Sequence, residues 1–263
     1  MAKINLDKYY TPADLAEYCV KKTKEIIGVE NITEWLEPSA GAGVFLPYLD
    51  NNYLAFDIEP EAENIEQKNY LELELPYFKG RCVIGNPPFG EITNLLFKSF
   101  YEKSINLADY IGFILPLSQY NNTRHLYKFD LLHSEILEPT LFSGIELKCV
   151  FNIYKRPTNG LNKRKKSKLS AITIYRQDKK GYENIVAFDI RMCYWGSAGK
   201  ILTDEPKYAG EYKIKINDLE NRLLITEHLK NANWEDYIGY MTTPKIQQFH
   251  IVEYLQKQAP QLV

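Results

Sequence analysis

Residues 86–89 read Asn-Pro-Pro-Phe and stand directly behind the apolar run Arg81-Cys82-Val83-Ile84-Gly85. A short apolar run that ends in Asn-Pro-Pro reads as a buried strand stopped abruptly. Neither proline can donate to a ladder, and each holds the residue before it extended. The segment is therefore stiff. It offers a carboxamide (Asn86), a bare carbonyl (Pro87) and an aromatic face (Phe89) at a strand exit, a set that suits gripping a planar group carrying an NH2. The bland alternative is a proline-rich strand-to-helix loop with a core phenylalanine.

Three further groups of residues upstream could act with it. Pro38-Ser39-Ala40-Gly41-Ala42-Gly43 follows the apolar stretch Ile32-Thr33-Glu34-Trp35-Leu36-Glu37. A strand, a turn of small residues with two glycines and then a helix start form the first turn of a nucleotide-binding α/β unit. There the glycines admit a ligand to the backbone and the helix N-terminus offers free N–H groups. The spacing is not GxGxxG, and a tight turn without a ligand is the competing reading. Asp57 ends a second strand, Asn52-Tyr53-Leu54-Ala55-Phe56-Asp57, where an acid commonly takes ribose hydroxyls. Tyr10-Thr11-Pro12 opens the first helix, with Thr11 as N-cap and Pro12 as first helical residue. Leu15, Cys19, Lys22 and Ile26 share one face of that helix, and Gly28 closes it.

The elements that must position these groups alternate between strand and helix. Residues 69–73 read as a short third strand or the loop after it, 81–89 as a fourth strand and its exit, and 91–101 as a helix. Residues 109–116 are apolar throughout, as in the middle of a parallel sheet. Residues 118–132 turn polar and then helical, and 134–138 and 146–154 read as the last strands. Such alternation implies a parallel sheet with helices on both faces. After Arg156 the character changes. Residues 159–168 form a basic loop containing Lys163, Arg164, Lys165 and Lys166, followed by short strands and helical stretches to the end. The natural division is 1–155 and 156–263.

The chain has 263 residues and a net charge of −2, so any attraction to a polyanion must come from charge segregated along the sequence, as in the 163–166 run. That run is otherwise a solvated loop. Cys19, Cys82, Cys149 and Cys193 have no CxxC spacing and His125, His133, His228 and His250 no ligand spacing. No zinc site, metal or disulfide framework is expected, and reduced thiols are. No signal-peptide core and no run of membrane-span length is present, so no membrane partner is expected.

Taken in order, Tyr10-Thr11-Pro12, Glu37-Pro38-Ser39-Ala40-Gly41-Ala42-Gly43, Asp57 and Asn86-Pro87-Pro88-Phe89 resemble the amino-group DNA methyltransferases that use S-adenosylmethionine, in the γ order of mostly adenine-N6 enzymes. The resemblance covers about residues 9–155. It implies a Rossmann-like class I methyltransferase fold with a mostly parallel seven-stranded sheet, plus a small C-terminal α+β target-recognition region. By the same resemblance, Thr11 and the Ser39-to-Gly43 turn hold the methionine end of the cofactor and Glu37 lies near its amino group. Asp57 takes the ribose hydroxyls, Ile58 packs on the adenine, and Asn69 stands where the family usually has an Asp. Asn86 and the Pro87 carbonyl act on the N6 amine of a base flipped out of the duplex. Phe89 is one stacking face and Phe142, or else Phe151, the other, with plain core as the alternative for both. The implied partners are DNA and a second copy or second subunit. The implied setting is a prokaryotic or phage cytoplasm and a restriction-modification system.

The competing expectations are methyl transfer to RNA bases or to a protein glutamine amide, and a non-catalytic DNA-binding subunit. The Tyr10-Thr11-Pro12 element argues against the first, since enzymes of that kind generally lack it. The intact glycine turn argues against the second, which has only Asn69 in its favour.

Overall fold

The computed structural model describes residues 10–89, 96–122, 124–138, 140–142, 145–164, 168–177, 187–203, 210–234 and 245–262. The chain divides into two compact units, Met1–Arg164 and Lys165–Val263. The division falls later than 155/156 because the stretch after the last strand stays bonded to the first unit. Arg156 N–H donates to the Asp109 carbonyl at 2.8 Å and Asn162 N–H to the Lys128 carbonyl at 2.9 Å.

The first unit is a seven-stranded α/β sheet. Its strands are β1 (Glu34–Glu37), β2 (Tyr53–Asp57), β3 (Glu66–Gln67), β4 (Arg81–Gly85), β5 (Tyr110–Pro116), β6 (Asp130–Ile136) and β9 (Cys149–Lys155), in the order β3-β2-β1-β4-β5-β9-β6. A two-stranded antiparallel pair, β7 (Thr140–Phe142) and β8 (Ile145–Leu147), precedes β9. The ladders from β3 to β5 are parallel, and β9 runs antiparallel between β5 and β6. This is the mostly parallel, Rossmann-like seven-stranded sheet that the resemblance implied. The order reverses between β1 and β4, so the crevice of an open α/β sheet lies beyond the carboxyl ends of those two strands.

Alternation along the central strands sorts two apolar layers. Ile111, Phe113 and Leu115 of β5 join Val83, Val150 and Tyr154 under helix α2 (Leu96–Ile105). Ile114 joins Cys82, Ile84, Phe151 and Ile153 under helix α1 (Ala13–Ile27). Helix α1 buries Ala16, Cys19, Val20, Thr23 and Ile27, a stripe turned from the expected Leu15-Cys19-Lys22-Ile26 face. Gly112 explains the turn. A Cβ there would stand 3.2 Å from Thr23 Oγ1 and 3.3 Å from Phe151 Cζ, so the bare Cα lets the helix seat Thr23 on β5.

Of the two readings of residues 69–73, the structure has the loop after the third strand: the strand is Glu66–Gln67, and residues 70–72 form a single 3-10 turn behind it. Two local expectations are corrected. The described part of 118–132 holds a 3-10 turn and the start of β6, with no α-helix. Asparagine side chains there bond nearby backbone instead: Asn122 Nδ2 donates to the Ser118 carbonyl at 3.1 Å and Asn122 Oδ1 accepts from Arg124 N–H at 3.0 Å. The expected helix after the glycine turn is also missing. Gly43 leads through a turn into the 3-10 helix Leu46–Tyr48. Pro47 and the short span to Tyr53 leave no room for an α-helix.

The second unit is small and α+β. A three-stranded antiparallel sheet runs β10 (Ile172–Gln177), β12 (Glu211–Ile216), β11 (Ile190–Cys193). Helices α3 (Arg222–Asn231) and α4 (Gln248–Gln258) cover its apolar face, where Ile214, Met192, Ile225 and Leu255 are buried. All four cysteines are buried free thiols. No helix among the described residues is long and apolar enough to cross a membrane.

Candidate active site

The three parallel strands β2, β1 and β4 end side by side and deliver Asp57, Glu37 and Asn86 to one edge. The registers Glu37↔Ala55 and Leu36↔Val83 set their relative heights. Asn86 is the first residue past β4. Its side-chain Nδ2 donates to Thr11 Oγ1 at 3.2 Å, and its own carbonyl accepts from Ser39 Oγ at 3.3 Å. An amide is planar, so anchoring Nδ2 at Thr11 commits Oδ1, the acceptor end, to the opposite side. Thr11 does not cap α1. Pro12 is the N-cap residue and no side chain caps the helix. Thr11, 7% exposed, gives its hydroxyl to Asn86 instead.

The glycine turn is held against Asp57. Gly41 N–H donates to Asp57 Oδ2 at 2.7 Å, and Glu59 N–H donates to Oδ1 at 2.8 Å. Each carboxylate oxygen keeps a further acceptor direction for a hydroxyl. Ile58, the next residue, is exposed although apolar. Gly43 has φ +76°, and a Cβ there would lie 3.1 Å from Leu46 Cδ1. Gly43→Ala is therefore expected to cost about 1–2 kcal/mol from the left-handed backbone alone. A lowered Tm checks it, and an unchanged Tm would mean the turn is free to rearrange. Tyr10, which the motif reading left without a role, reaches over this turn. Its ring edge comes 3.9 Å from the Cβ position of Gly41, and its hydroxyl donates to Glu61.

Glu37 is the electrostatic anomaly of the site. It is 1% exposed, and its Oε2 has no hydrogen-bond partner among the described residues. Burial, and after it the charge of Asp57, pushes its carboxyl well above the usual range. A buried acid with an orphaned oxygen beside a second acid is a place prepared for a cation or for hydrogen-bond donors.

Pro87 is buried, while Pro88 and Phe89 are half-buried; Phe89 packs at the edge of the α1-side layer, and its carbonyl accepts from Leu96 N–H at 3.0 Å. Asn69 follows β3 at the same strand-end edge. Its side chain accepts from Leu71 N–H at 3.1 Å and caps the 3-10 turn. Thr11, Glu37, Ser39, Gly41, Gly43, Asp57 and Asn86 are thus brought together, with Ile58, Asn69, Pro87 and Phe89 on the same edge.

Phe151 is a correction. It is 0% exposed in the middle of β9 and belongs to the core under α1, so it presents no face to a ligand. Phe142 ends β7 opposite Ile145, and its side chain lies outside the described residues. Lys163 and Arg164 are exposed, while Lys165 and Lys166 lie outside the described residues. No group of three or more His, Cys, Asp or Glu among the described residues could hold a metal ion.

No protein-family model and no curated protein matches the sequence. Among solved structures, the chain is similar to a Listeria monocytogenes protein assigned to the class I S-adenosylmethionine-dependent methyltransferases. The TM-score is 0.48 at 14% identity, over 63% of this chain and 66% of that one, which is under two thirds of its length. It is also similar to an assigned RNA methyltransferase of Pyrococcus horikoshii, with TM-score 0.48 and 16% identity over 59% of this chain and 91% of that one. A type I restriction-modification methyltransferase subunit of Streptococcus thermophilus gives TM-score 0.42 at 13% identity, over 57% of this chain and 45% of that one.

Proposed function

We propose that the chain transfers a methyl group from S-adenosylmethionine to the exocyclic N6 amine of an adenine flipped out of DNA. The observation that carries this reading is the Asn86 carboxamide, held by Thr11 while Ser39 holds the residue's backbone carbonyl, at the strand-order reversal beside buried Glu37, one oxygen of which no described residue bonds.

The residues fit the cofactor. The Glu37 carboxyl suits its ammonium, the Gly41–Gly43 turn and Tyr10 bracket its methionine end, and Asp57 can accept two ribose hydroxyls while keeping its backbone bonds. Exposed Ile58 offers an apolar surface to the adenine, and Asn69 stands at the edge where its exocyclic amine would come. When bound, S-adenosylmethionine supplies an electrophilic methyl group on a sulfonium centre.

An exocyclic amine is a poor nucleophile because its lone pair is conjugated with the ring. Asn86 Oδ1 and the Pro87 carbonyl would each accept one N6 hydrogen, which localises that lone pair and aims it. The rate then comes from positioning and from acceptors matched to the developing positive charge on nitrogen. Phe89 would stack on one face of the base, with Phe142 proposed for the other. The C-terminal unit is the proposed reader of the target sequence, alone or with a second protomer or subunit.

The test is to incubate the protein with labelled cofactor and unmethylated DNA, RNA and protein. Label in DNA, mapped by sequencing to N6-methyladenine, is expected. Label confined to RNA or to glutamine would replace the DNA reading, and no transfer to any acceptor would favour a non-catalytic subunit.

A further inference from the structure

Residues 10–12 cross the strand-end edge as a short strap with a bond on either side. The Tyr10 hydroxyl donates to Glu61, and the ring edge lies 3.9 Å from the Cβ position of Gly41. Glu61 is itself fixed to the glycine turn, because its N–H donates to the Gly41 carbonyl at 2.9 Å. Gly41 N–H donates in turn to Asp57 Oδ2 at 2.7 Å. One residue along the strap, Thr11 Oγ1 accepts from Asn86 Nδ2 at 3.2 Å. Hydrogen bonds and the Tyr10–Thr11 peptide thus run without a break from Asp57, the proposed ribose acceptor, to Asn86, the proposed reacting amide.

The strap is stiff between those two bonds. Pro12 keeps its own φ at −61° and holds Thr11 to extended backbone. The Pro12 carbonyl is anchored as well, accepting from Ala16 N–H at 3.0 Å at the start of α1. Tyr10 is 41% exposed and Thr11 only 7%. A ring so exposed is held more by its bonds than by its packing, and a displacement of Tyr10 passes to Thr11 through a single peptide.

We propose that Tyr10 and Glu61 are positioning residues whose bond closes the strap over the cofactor and, through Thr11, aims the Asn86 amide, so that cofactor and DNA bind cooperatively; this role rests on the methyltransferase reading for both ligands. A cofactor lying on the glycine turn packs under the Tyr10 ring and favours the closed strap. Whatever holds Tyr10 down also holds Thr11 against Asn86. The target base needs the aimed amide and therefore favours the same closed strap. By linkage, each ligand raises the other's affinity by the same factor.

The experiment measures binding of the full chain to a short unmethylated duplex with and without saturating S-adenosylhomocysteine, and binding of S-adenosylhomocysteine with and without saturating duplex. In the parent each ligand should tighten the other about tenfold. Tyr10→Phe keeps the ring and loses the donor, so the factor should fall to about two or less in both directions, the scale of one hydrogen bond to a charged group. Glu61→Ala removes the acceptor instead and should reproduce that loss, whereas Glu61→Gln keeps an acceptor and should retain most of the coupling. Tm should not move in Tyr10→Phe, which separates the effect from misfolding. Single-turnover transfer at saturating cofactor should also slow about tenfold in Tyr10→Phe, a loss that a residue merely covering the cofactor would not cause. A parent without coupling, or an unchanged factor in Tyr10→Phe and Glu61→Ala, overturns the strap, as does a raised cofactor KM with the saturated rate intact. The two readings fail separately. Coupled binding through Tyr10 with no methyl transfer would sink the reaction and leave the strap. Transfer to DNA by a parent that binds the two ligands independently would sink the strap and leave the reaction.

Discussion

Asn86→Ala is expected to lower kcat for methyl transfer by about 10²–10³-fold or more while the Kd for S-adenosylmethionine stays within a few-fold. The magnitude is that of removing one preorganised group from a site of developing charge. The selectivity follows from position: Asn86 is bonded to Thr11 and Ser39, whereas Asp57 and the glycine turn are held by the Gly41 N–H bond, which the substitution does not touch. Thr11→Val is the informative companion. It removes only the oxygen that accepts from Asn86 Nδ2, so the amide keeps its place and loses the bond that orients it. A kcat loss of about tenfold is expected, in line with one hydrogen bond, and Thr11→Ser should restore most of it. Single-turnover transfer under saturating cofactor measures both. Full activity in Asn86→Ala would end the mechanism, and equal activity in the valine and serine variants would end the orienting role of Thr11.

Glu37→Gln is expected to raise the thermal stability of the cofactor-free chain at neutral pH while weakening cofactor binding about tenfold to a hundredfold, the scale of a hydrogen bond to a buried charge. The sign follows from linkage. The folded-state carboxyl is held above its ordinary value by burial and by Asp57, so the folded chain keeps a proton that the unfolded chain has released. Stability is then fully present below the unfolded value, near pH 4.3, and declines as pH rises toward and through the raised folded value. This is opposite to the usual behaviour of a salt-bridged carboxylate. The glutamine carries no proton to lose, so the decline should flatten. Thermal unfolding of both proteins from mildly acidic to neutral pH, with and without cofactor, reads it directly. An identical pH slope in the two proteins would mean that Glu37 is not the group responsible.

Much of the fold was legible in the residues. The apolar run at 109–116 is buried in the centre of the sheet because both its faces need cover, and helices α1 and α2 supply it. The sequence expectations failed where local chemistry overrode pattern. Residues 118–132 carry helical spacing, but their asparagines bond the backbone of the connection, and Asn121 takes a left-handed φ of 49° with its N–H on Ser134. The glycine turn was legible as a ligand approach, yet the helix expected behind it was not there, since Pro47 and the nearness of β2 forbid it. Phe151 could not be told from a stacking aromatic by type alone. Its place in the middle of β9 makes it core.

By itself, the sequence determined the chemical inventory. It contains a stiff carboxamide-bearing strand exit, a glycine turn, two acids at strand ends and the alternation that sets them in a parallel sheet. Those features are local, encoded in residues a few positions apart. Only the tertiary structure decided the partnerships. Thr11 orients an amide 75 residues away, and Glu37 is left buried with an oxygen that no described residue bonds. The reason is physical. Parallel ladders and the packing of α1 and α2 fix which strand ends and connections become neighbours, and no spacing along the chain encodes that choice.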